Sequence, residues 1–187
     1  MDLKWDDPRT RKFVTNAGLI TTNGPFGSDV MAAEWTHHVS YAPSLMVVCV
    51  YSHHVTHPNI MKSREFGINL CSASQSIVSS IAGGSSGKDV DKIAVLKGMG
   101  VEFYKGKKIN ALMVKNAAMN AECKLHKAIE LGDHTMFVGK VVEISASDEL
   151  PLIYSNGKYW NFGSGIEKPA QKILDKINAL VEKDRKR

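Results

Sequence analysis

The sequence lacks the features of secreted, membrane-embedded and disulfide-linked proteins. Its first residues are charged and contain no apolar segment of the kind that directs secretion. The longest apolar run, Leu45–Tyr51, is far shorter than the roughly 20 residues that cross a bilayer. The three cysteines, Cys49, Cys71 and Cys123, form no CxxC pair, which argues against a disulfide framework or a zinc ribbon. We therefore expect a cytoplasmic protein with free thiols and no membrane partner.

Common nucleotide-binding and hydrolase motifs are also missing. Residues 83–88 read GGSSGK, but their glycine spacing and the Asp89 that follows Lys88 do not match a P-loop. The short GSG at residues 163–165 does not extend to the GxGxxG of a Rossmann fold. There is no GxSxG and no HExxH, so the sequence does not support a hydrolase.

The histidines suggest a metal site only weakly. His53 and His57 have the spacing of two ligands on one helical face. Pro58, however, biases His57 away from the helical conformation, and no carboxylate or cysteine stands nearby at ligand spacing. We therefore predict no metal, and we expect these histidines to lie at the surface or to face an anion.

Composition and charge are those of one ordinary globular domain. The 187 residues are 43% hydrophobic and 23% charged, and no internal repeat or low-complexity linker divides them. We therefore predict a single domain over residues 1–187.

The net charge of +5 is concentrated near the C-terminus. Residues 168–187 contain seven Lys or Arg and three Asp or Glu, so they carry four of the five net charges. Ile173, Ile177, Leu180 and Val181 recur there at helical spacing. We predict a basic amphipathic helix over about residues 169–184 that serves in packing or dimerisation. Because the rest of the chain is nearly neutral, we do not expect a nucleic-acid partner.

The hydrophobic pattern predicts many strands and few helices. Strands are predicted over residues 13–22, 30–36, 45–51, 65–71, 117–129, 133–145 and 152–160. Short helices are predicted over residues 59–63, 74–82 and 89–96, with Ser74 and Asp89 as their caps or first residues. Turns are predicted at residues 24–27 and 132–133. Because the strands do not alternate regularly with helices, a β-barrel with helices is favoured over a doubly wound fold.

Four segments, in this order and spacing, together resemble a known family. They are residues 30–36 with 40–43; Thr56 with 59–63 and 65–70; residues 86–92; and residues 122–123 with 132–134, 137–139 and Val141. This pattern resembles the flavin reductase-like family of FMN-binding split barrels, which includes flavoredoxin-type and ferric-reductase-type proteins. The resemblance covers roughly residues 12–160. It implies a mainly β, Greek-key split β-barrel with short connecting helices, usually a homodimer, that binds FMN or sometimes FAD near the subunit interface.

The resemblance also implies which residues hold the flavin. Residues 31–33 are apolar, two of them small, and would let the flavin ring approach the backbone. Without the resemblance, an ordinary core strand is the better interpretation of residues 31–35. The implied cofactor-binding residues are Val30, Met31, Ala32, Ala33, Glu34, Trp35, Thr36, Ser52, His53, Thr56, Asn69, Ser86, Gly87, Lys88, Lys92, Tyr159 and Trp160.

Within this set, the flavin phosphate is assigned to Thr56 and to residues 86–88, with Lys92 one helical turn further on. The alternative is that both lysines are simply solvated and that Thr56 is a turn hydroxyl. Tyr159 and Trp160 either cover the flavin or lie in a dimer interface, and the sequence does not separate these two interpretations.

His134 matches a family histidine near the site where the nicotinamide docks. We expect it to orient the nicotinamide; its alternative role is to cap the hairpin turn. The resemblance thus implies an NAD(P)H-dependent flavin or ferric reductase that transfers hydride from nicotinamide to flavin N5, with a small-molecule or protein electron acceptor. An alternative is an electron-transfer flavoprotein whose tightly held FMN is reduced by a protein donor. A cofactor-free β-barrel binding module is the third hypothesis.

Overall fold

Strands dominate the architecture. The computed structural model describes residues 1–4 and 7–185, and in this part of the chain it contains twelve strands and four α-helices. The strands are β1 (Val14–Asn16), β2 (Gly18–Gly24), β3 (Gly27–Ala33), β4 (Thr36–Ser40), β5 (Leu45–Tyr51), β6 (Glu65–Leu70), β7 (Phe103–Lys105), β8 (Leu112–Val114), β9 (Met119–Leu131), β10 (His134–Ala146), β11 (Ile153–Ser155) and β12 (Lys158–Trp160). The helices are α1 (Thr56–Ser63), α2 (Ser76–Gly84), α3 (Lys92–Gly98) and α4 (Gln171–Lys183). The mainly β prediction, with short connecting helices and a C-terminal helix, is confirmed.

Seven strands form one antiparallel sheet in the order β3-β2-β6-β9-β10-β5-β4. The long hairpin of β9 and β10 lies at its centre, with the predicted turn at Gly132, whose φ of 61° suits glycine. Two small sheets accompany it, one of β1, β11 and β12 and one of β7 and β8. The order places β3 next to β2 at one edge and β5 next to β10 near the other.

Both faces of the main sheet are buried, against two different cores. Along β2 and β3 the side chains alternate: Ile20 and Met31 enter the first core, whereas Leu19 and Val30 enter the second. The first core also contains Phe66 and Phe137, and α2 and α3 close the second. Strands buried on both faces carry apolar residues in succession, which is the pattern that predicted β5 with its correct bounds.

The helices differ from prediction at their N-termini. α1 begins at Thr56, not at Asn59, so Pro58 lies in the first turn, where the N–H that proline lacks has no helical partner to lose. α2 is preceded by a 3₁₀ turn that Ser72 and Gln75 close as a capping box, so the cap is Ser72 rather than Ser74. α3 begins at Lys92 because the Asp91 carboxylate accepts the Ala94 N–H.

Four strand predictions are corrected. The predicted strand over residues 30–36 covers the end of β3, which stops at Ala33, and the first residue of β4. The predicted strand over residues 13–22 is two strands, β1 and β2, that belong to different sheets. The predicted strand over residues 152–160 is the hairpin of β11 and β12, which turns at Asn156 and Gly157, both with positive φ. β7 and β8 were not predicted, because each is only three residues long and their loop is fixed by distant carboxylates. Glu122 accepts three backbone N–H groups of residues 107–109, and Glu65 accepts that of Asn110.

The C-terminal helix forms as predicted, but it packs on none of the domain's cores. No residue of α4, all of which the structure describes, is buried, and the apolar side chains Ile173, Ile177, Leu180 and Val181 are 46–63% exposed. A role in dimerisation remains a prediction. Across the described ranges, no helix is both long and apolar enough to cross a membrane.

Candidate functional site

A cavity of about 280 Å³ opens between β3, the start of α1 and the loop after α2. It brings together six of the residues predicted to bind a cofactor: Met31, Ala32, Thr56, Ser86, Gly87 and Lys92. Seven further lining residues were not predicted: Asp29, His54, Val55 and the four residues 82–85. The sequence offered one signal for Asp29, since it is a carboxylate directly before the apolar residues 30–33 of β3.

The floor of the cavity is a buried ion pair. Lys92 Nζ lies 3.1 Å from Asp29 Oδ1, and the two side chains are only 4% and 5% exposed. The Thr56 hydroxyl donates to Asp29 Oδ2 at 3.2 Å. Lys92 therefore is not the solvated lysine of the alternative interpretation, and it meets any ligand of the cavity already paired with a carboxylate.

The wall of the cavity depends on glycines that allow close backbone approach. A Cβ on Gly87 would lie 2.6 Å from Asp29 Oδ1 and 2.7 Å from Val55 Cγ2. A Cβ on Gly83 would lie 3.1 Å from the Ala32 Cβ. These distances are shorter than those of normal side-chain contacts. The end of α2 and the loop after it therefore place backbone, rather than side chains, against β3 and α1.

Lys88 lines a neighbouring cavity rather than this one. It is exposed and lines the neighbouring cavity of about 500 Å³ together with Asp89, Asp91 and Lys97. Its backbone N–H donates to the Ser86 hydroxyl at 3.1 Å. Asp29 and Gly87 line both cavities, whereas Lys88, unlike Ser86 and Lys92, does not line the first one.

A cluster of aromatic rings and histidines continues from the cavity. The His134 ring centroid lies 4.7 Å from that of Trp35 and 5.5 Å from that of Tyr51. Tyr51 in turn lies 5.0 Å from His53 and 5.7 Å from His54. His54 also lines the cavity, so the cluster begins at the cavity's edge.

His134 is oriented by its neighbour in the chain. Its Nδ1 lies 2.7 Å from Asp133 Oδ1, and its side chain is 15% exposed. Since a carboxylate only accepts, Nδ1 is the donor, which leaves Nε2 for a ligand. The same hydrogen bond lowers the pKa of Asp133 below its usual value. His134 therefore makes a contact in the hairpin turn, as the capping interpretation expects. It also keeps Nε2 available, as a role in orienting the nicotinamide requires.

Four predicted residues are buried in the protein itself. Asn69 makes four hydrogen bonds, to Leu19 O, Thr21 Oγ1, the Val114 N–H and Asn120 Nδ2, which use its whole amide. Val30 and Ala33 belong to the two cores, and the Thr36 hydroxyl donates to Ala33 O. Their side chains are engaged within the protein, and their assignment to the cofactor remains a prediction.

Tyr159 and Trp160 lie apart from the cavity, on β12. The Tyr159 hydroxyl accepts from Ser80 Oγ at 3.4 Å, and its ring packs against the second core. Trp160, 52% exposed, donates its indole N–H to Ser155 O. Neither residue lines the cavity. The position of β12 therefore gives no support to the interpretation in which these two rings cover a flavin.

Glu34 and Trp35 border a separate apolar groove of about 540 Å³, whose other lining residues include Val14, Val47 and Phe162. Burial raises the pKa of Glu34 above its usual value. Ser52 is exposed in the turn after β5, beside His53.

His57 faces inward rather than toward solvent or an anion. Its Nε2 lies 3.0 Å from Thr135 Oγ1, and its ring meets Phe137 edge-on. Burial lowers the pKa of His57, so the neutral ring is favoured. Among the described residues, no three His, Cys, Asp or Glu side chains converge as a metal site would.

Comparison with known proteins decides the family. The family described as "Flavin reductase like domain" matches residues 10–163. The chain belongs to the flavin reductase-like family of oxidoreductases. It is 33% identical over 131 residues to an uncharacterized protein of Pyrococcus abyssi, covering 70% of this chain and 73% of that protein. It is 26% identical over 152 residues to the NADH-dependent FAD reductase of Streptomyces globisporus, covering 80% of each.

Solved structures agree on the fold. Flavoredoxin from Methanosarcina acetivorans superposes with a TM-score of 0.76 at 22% identity, covering 89% of this chain and 94% of that one. Other relatives of the flavin reductase-like protein include the reductase components of monooxygenases. The family and split-barrel predictions are thereby confirmed.

Proposed function

We propose that this flavin reductase-like protein is an NAD(P)H-dependent flavin reductase that binds FMN, with the phosphate in the cavity behind residues 83–87. The observation that carries the proposal is the series of neighbouring rings that leads from this cavity, through His54 and Tyr51, to His134. A ligand with an anionic end and a flat aromatic end matches such an arrangement. The reductases among its relatives support the same activity.

The cavity residues suit a phosphate and its attached chain. Gly83 and Gly87 bring backbone close to β3 and α1, and a Cβ at Gly87 would fill this space. Ser86 adds a hydroxyl, and Met31 and Ala32 add an apolar edge, whereas the Thr56 hydroxyl donates to Asp29. Backbone amides and hydroxyls are the groups that hold phosphates without requiring a full counter-charge.

The protein's own part in the reaction is positioning and exclusion of water. A bound flavin supplies the capacity to accept a hydride from the dihydronicotinamide. Trp35 and Tyr51 provide flat apolar rings next to His134. Asp133 holds Nδ1 of His134, which keeps Nε2 available to a ligand. Holding two reactants in contact lowers the barrier by removing the entropy cost of bringing them together.

The test is the absorption spectrum of the purified protein before and after anaerobic NADH or NADPH. We expect flavin bands that bleach within seconds, and titration with FMN and FAD shows which flavin is preferred. A flavin that is retained and stays oxidised would favour the electron-transfer alternative. A colourless protein that fails to bind added FMN or FAD would refute the proposal.

Replacing His134 with asparagine should lower kcat/KM for NAD(P)H by about tenfold to a hundredfold, because the nicotinamide loses its orienting contact. The Kd for FMN should change by less than about twofold, since FMN binding rests on the cavity. The matched control is His126→Asn, an exposed histidine on β9, which should leave both quantities unchanged. Equal loss in both histidine variants would remove His134 from the site. Stopped-flow reduction and fluorescence titration give the two values.

A further inference from the structure

The cavity that we assign to the phosphate carries almost no net charge. Among its lining residues, all of which the structure describes, Asp29 and Lys92 are the formally charged side chains. They are 3.1 Å apart and nearly inaccessible to water. A cation and an anion at this distance present a dipole, rather than a full charge, to a ligand nearby.

Asp29 is held under the loop from three sides. Lys92 reaches one carboxylate oxygen and the Thr56 hydroxyl donates to the other. Gly87 closes over the same group, because even a Cβ there would come within 2.6 Å of Asp29 Oδ1. A fixed carboxylate therefore lies directly beneath the loop that holds the phosphate, and it occupies two of the groups that would otherwise bind the anion.

The neighbouring basic groups do not restore the missing positive charge. His54 lines the cavity, but burial, followed by the charge of Lys92, lowers its pKa, so the neutral ring is favoured near neutral pH. Lys88 is exposed and borders the other cavity. Ion pairs with such exposed groups contribute little.

We propose that Asp29 is the residue that sets phosphate selectivity at this site: by neutralising Lys92 and engaging Thr56, its carboxylate makes the cavity discriminate only weakly between FMN and riboflavin. The inference rests on the proposed function and deepens it, because it extends the ligand class to unphosphorylated flavin. Repulsion between the carboxylate and a phosphate offsets much of the attraction of Lys92. Binding then depends on backbone amides and on the apolar parts of the flavin.

The test is Asp29→Asn, which keeps the side-chain volume and an acceptor for Thr56 but removes the charge. We expect the ratio of the riboflavin Kd to the FMN Kd to rise about tenfold, because an uncompensated Lys92 then faces the phosphate. Fluorescence titration gives both constants. A ratio that is unchanged or lower would overturn the proposal, since a purely structural Asp29 would weaken both ligands alike.

Two companion variants make the comparison specific. Asp89→Asn removes an acid from the neighbouring cavity, so the ratio should change less than about threefold. Lys92→Met should lower the ratio, and Asp29→Asn in that background should raise it again by about tenfold without leaving a buried lysine unpaired. This second pair decides the question if Asp29→Asn alone folds poorly.

Inorganic phosphate separates this inference from the proposed function. Phosphate should raise the unfolding temperature of Asp29→Asn more than that of the wild type, because only the variant has a net positive cavity. Equal shifts would overturn the role of Asp29 whether or not flavin binds. Failure of the wild type to bind FMN and riboflavin would instead refute the flavin assignment. The phosphate experiment would still test whether Asp29 weakens phosphate binding.

Discussion

Replacing Gly87 with alanine should weaken FMN binding by well over tenfold, the largest functional effect we expect from a single methyl group in this protein. The added Cβ would lie 2.6 Å from Asp29 Oδ1 and 2.7 Å from Val55 Cγ2, and neither neighbour can move easily. Asp29 is fixed by Lys92 and Thr56, and Val55 is buried at the start of α1. The loop must therefore shift outward, and the cavity wall is lost.

The matched control is Gly98→Ala at the end of α3. An added Cβ there meets nothing within 4 Å, so FMN binding and stability should be unchanged or slightly improved. Fluorescence titration with FMN measures the loss, and thermal unfolding measures the strain, which we expect to be about 1–3 kcal/mol for Gly87→Ala. Wild-type affinity in Gly87→Ala would show that this loop does not form the wall of the flavin site.

Replacing Phe66 with alanine should lower the free energy of unfolding by about 3–5 kcal/mol. Phe66 is fully buried in the first core, on the central strand β6. Its removal leaves a cavity that the rigid strands around it cannot close. Phe162→Ala is the control: Phe162 is 55% exposed, so its loss should cost less than about 0.5 kcal/mol. Urea unfolding followed by circular dichroism gives both values.

The same ring explains why residue 139 is a glycine. A Cβ there would lie 2.5 Å from Phe66 Cζ and 2.7 Å from Cys123 Cβ, at the irregularity between Val138 and Gly139 in the β9–β10 pairing. Gly139→Ala should therefore cost about 1–3 kcal/mol in the wild type and clearly less in Phe66→Ala, where the ring is gone. Additive losses would mean that the ring and the glycine do not compete for this space.

The predicted site residues divide by what surrounds them. Met31, Ala32, Thr56, Ser86, Gly87 and Lys92 were each assigned from short sequence segments, and the structure places all six around one cavity. Asn69 came from the same resemblance, but its amide is used completely inside the protein. A sequence segment shows that a residue lies near a site; it does not show which way the side chain faces.

Local sequence determined the elements whose signals lie within a few residues. Leu45–Tyr51 became β5 because a continuous apolar run suits a strand buried on both faces. The β9–β10 turn formed at Gly132 because glycine accepts positive φ. The amphipathic spacing near the C-terminus produced α4. Resemblance over several such segments was enough to identify the family.

Only the tertiary structure decided the charge and shape of the site. Asp29 and Lys92 are 63 residues apart in the sequence, and nothing local in either segment shows that they pair in the cavity floor. The position of Lys88 outside that cavity's lining and the contact of Gly87 with Asp29 likewise depend on how β3, α1 and the loop after α2 meet. Contacts between distant segments depend on packing of the whole chain, so they emerge only when the elements come together.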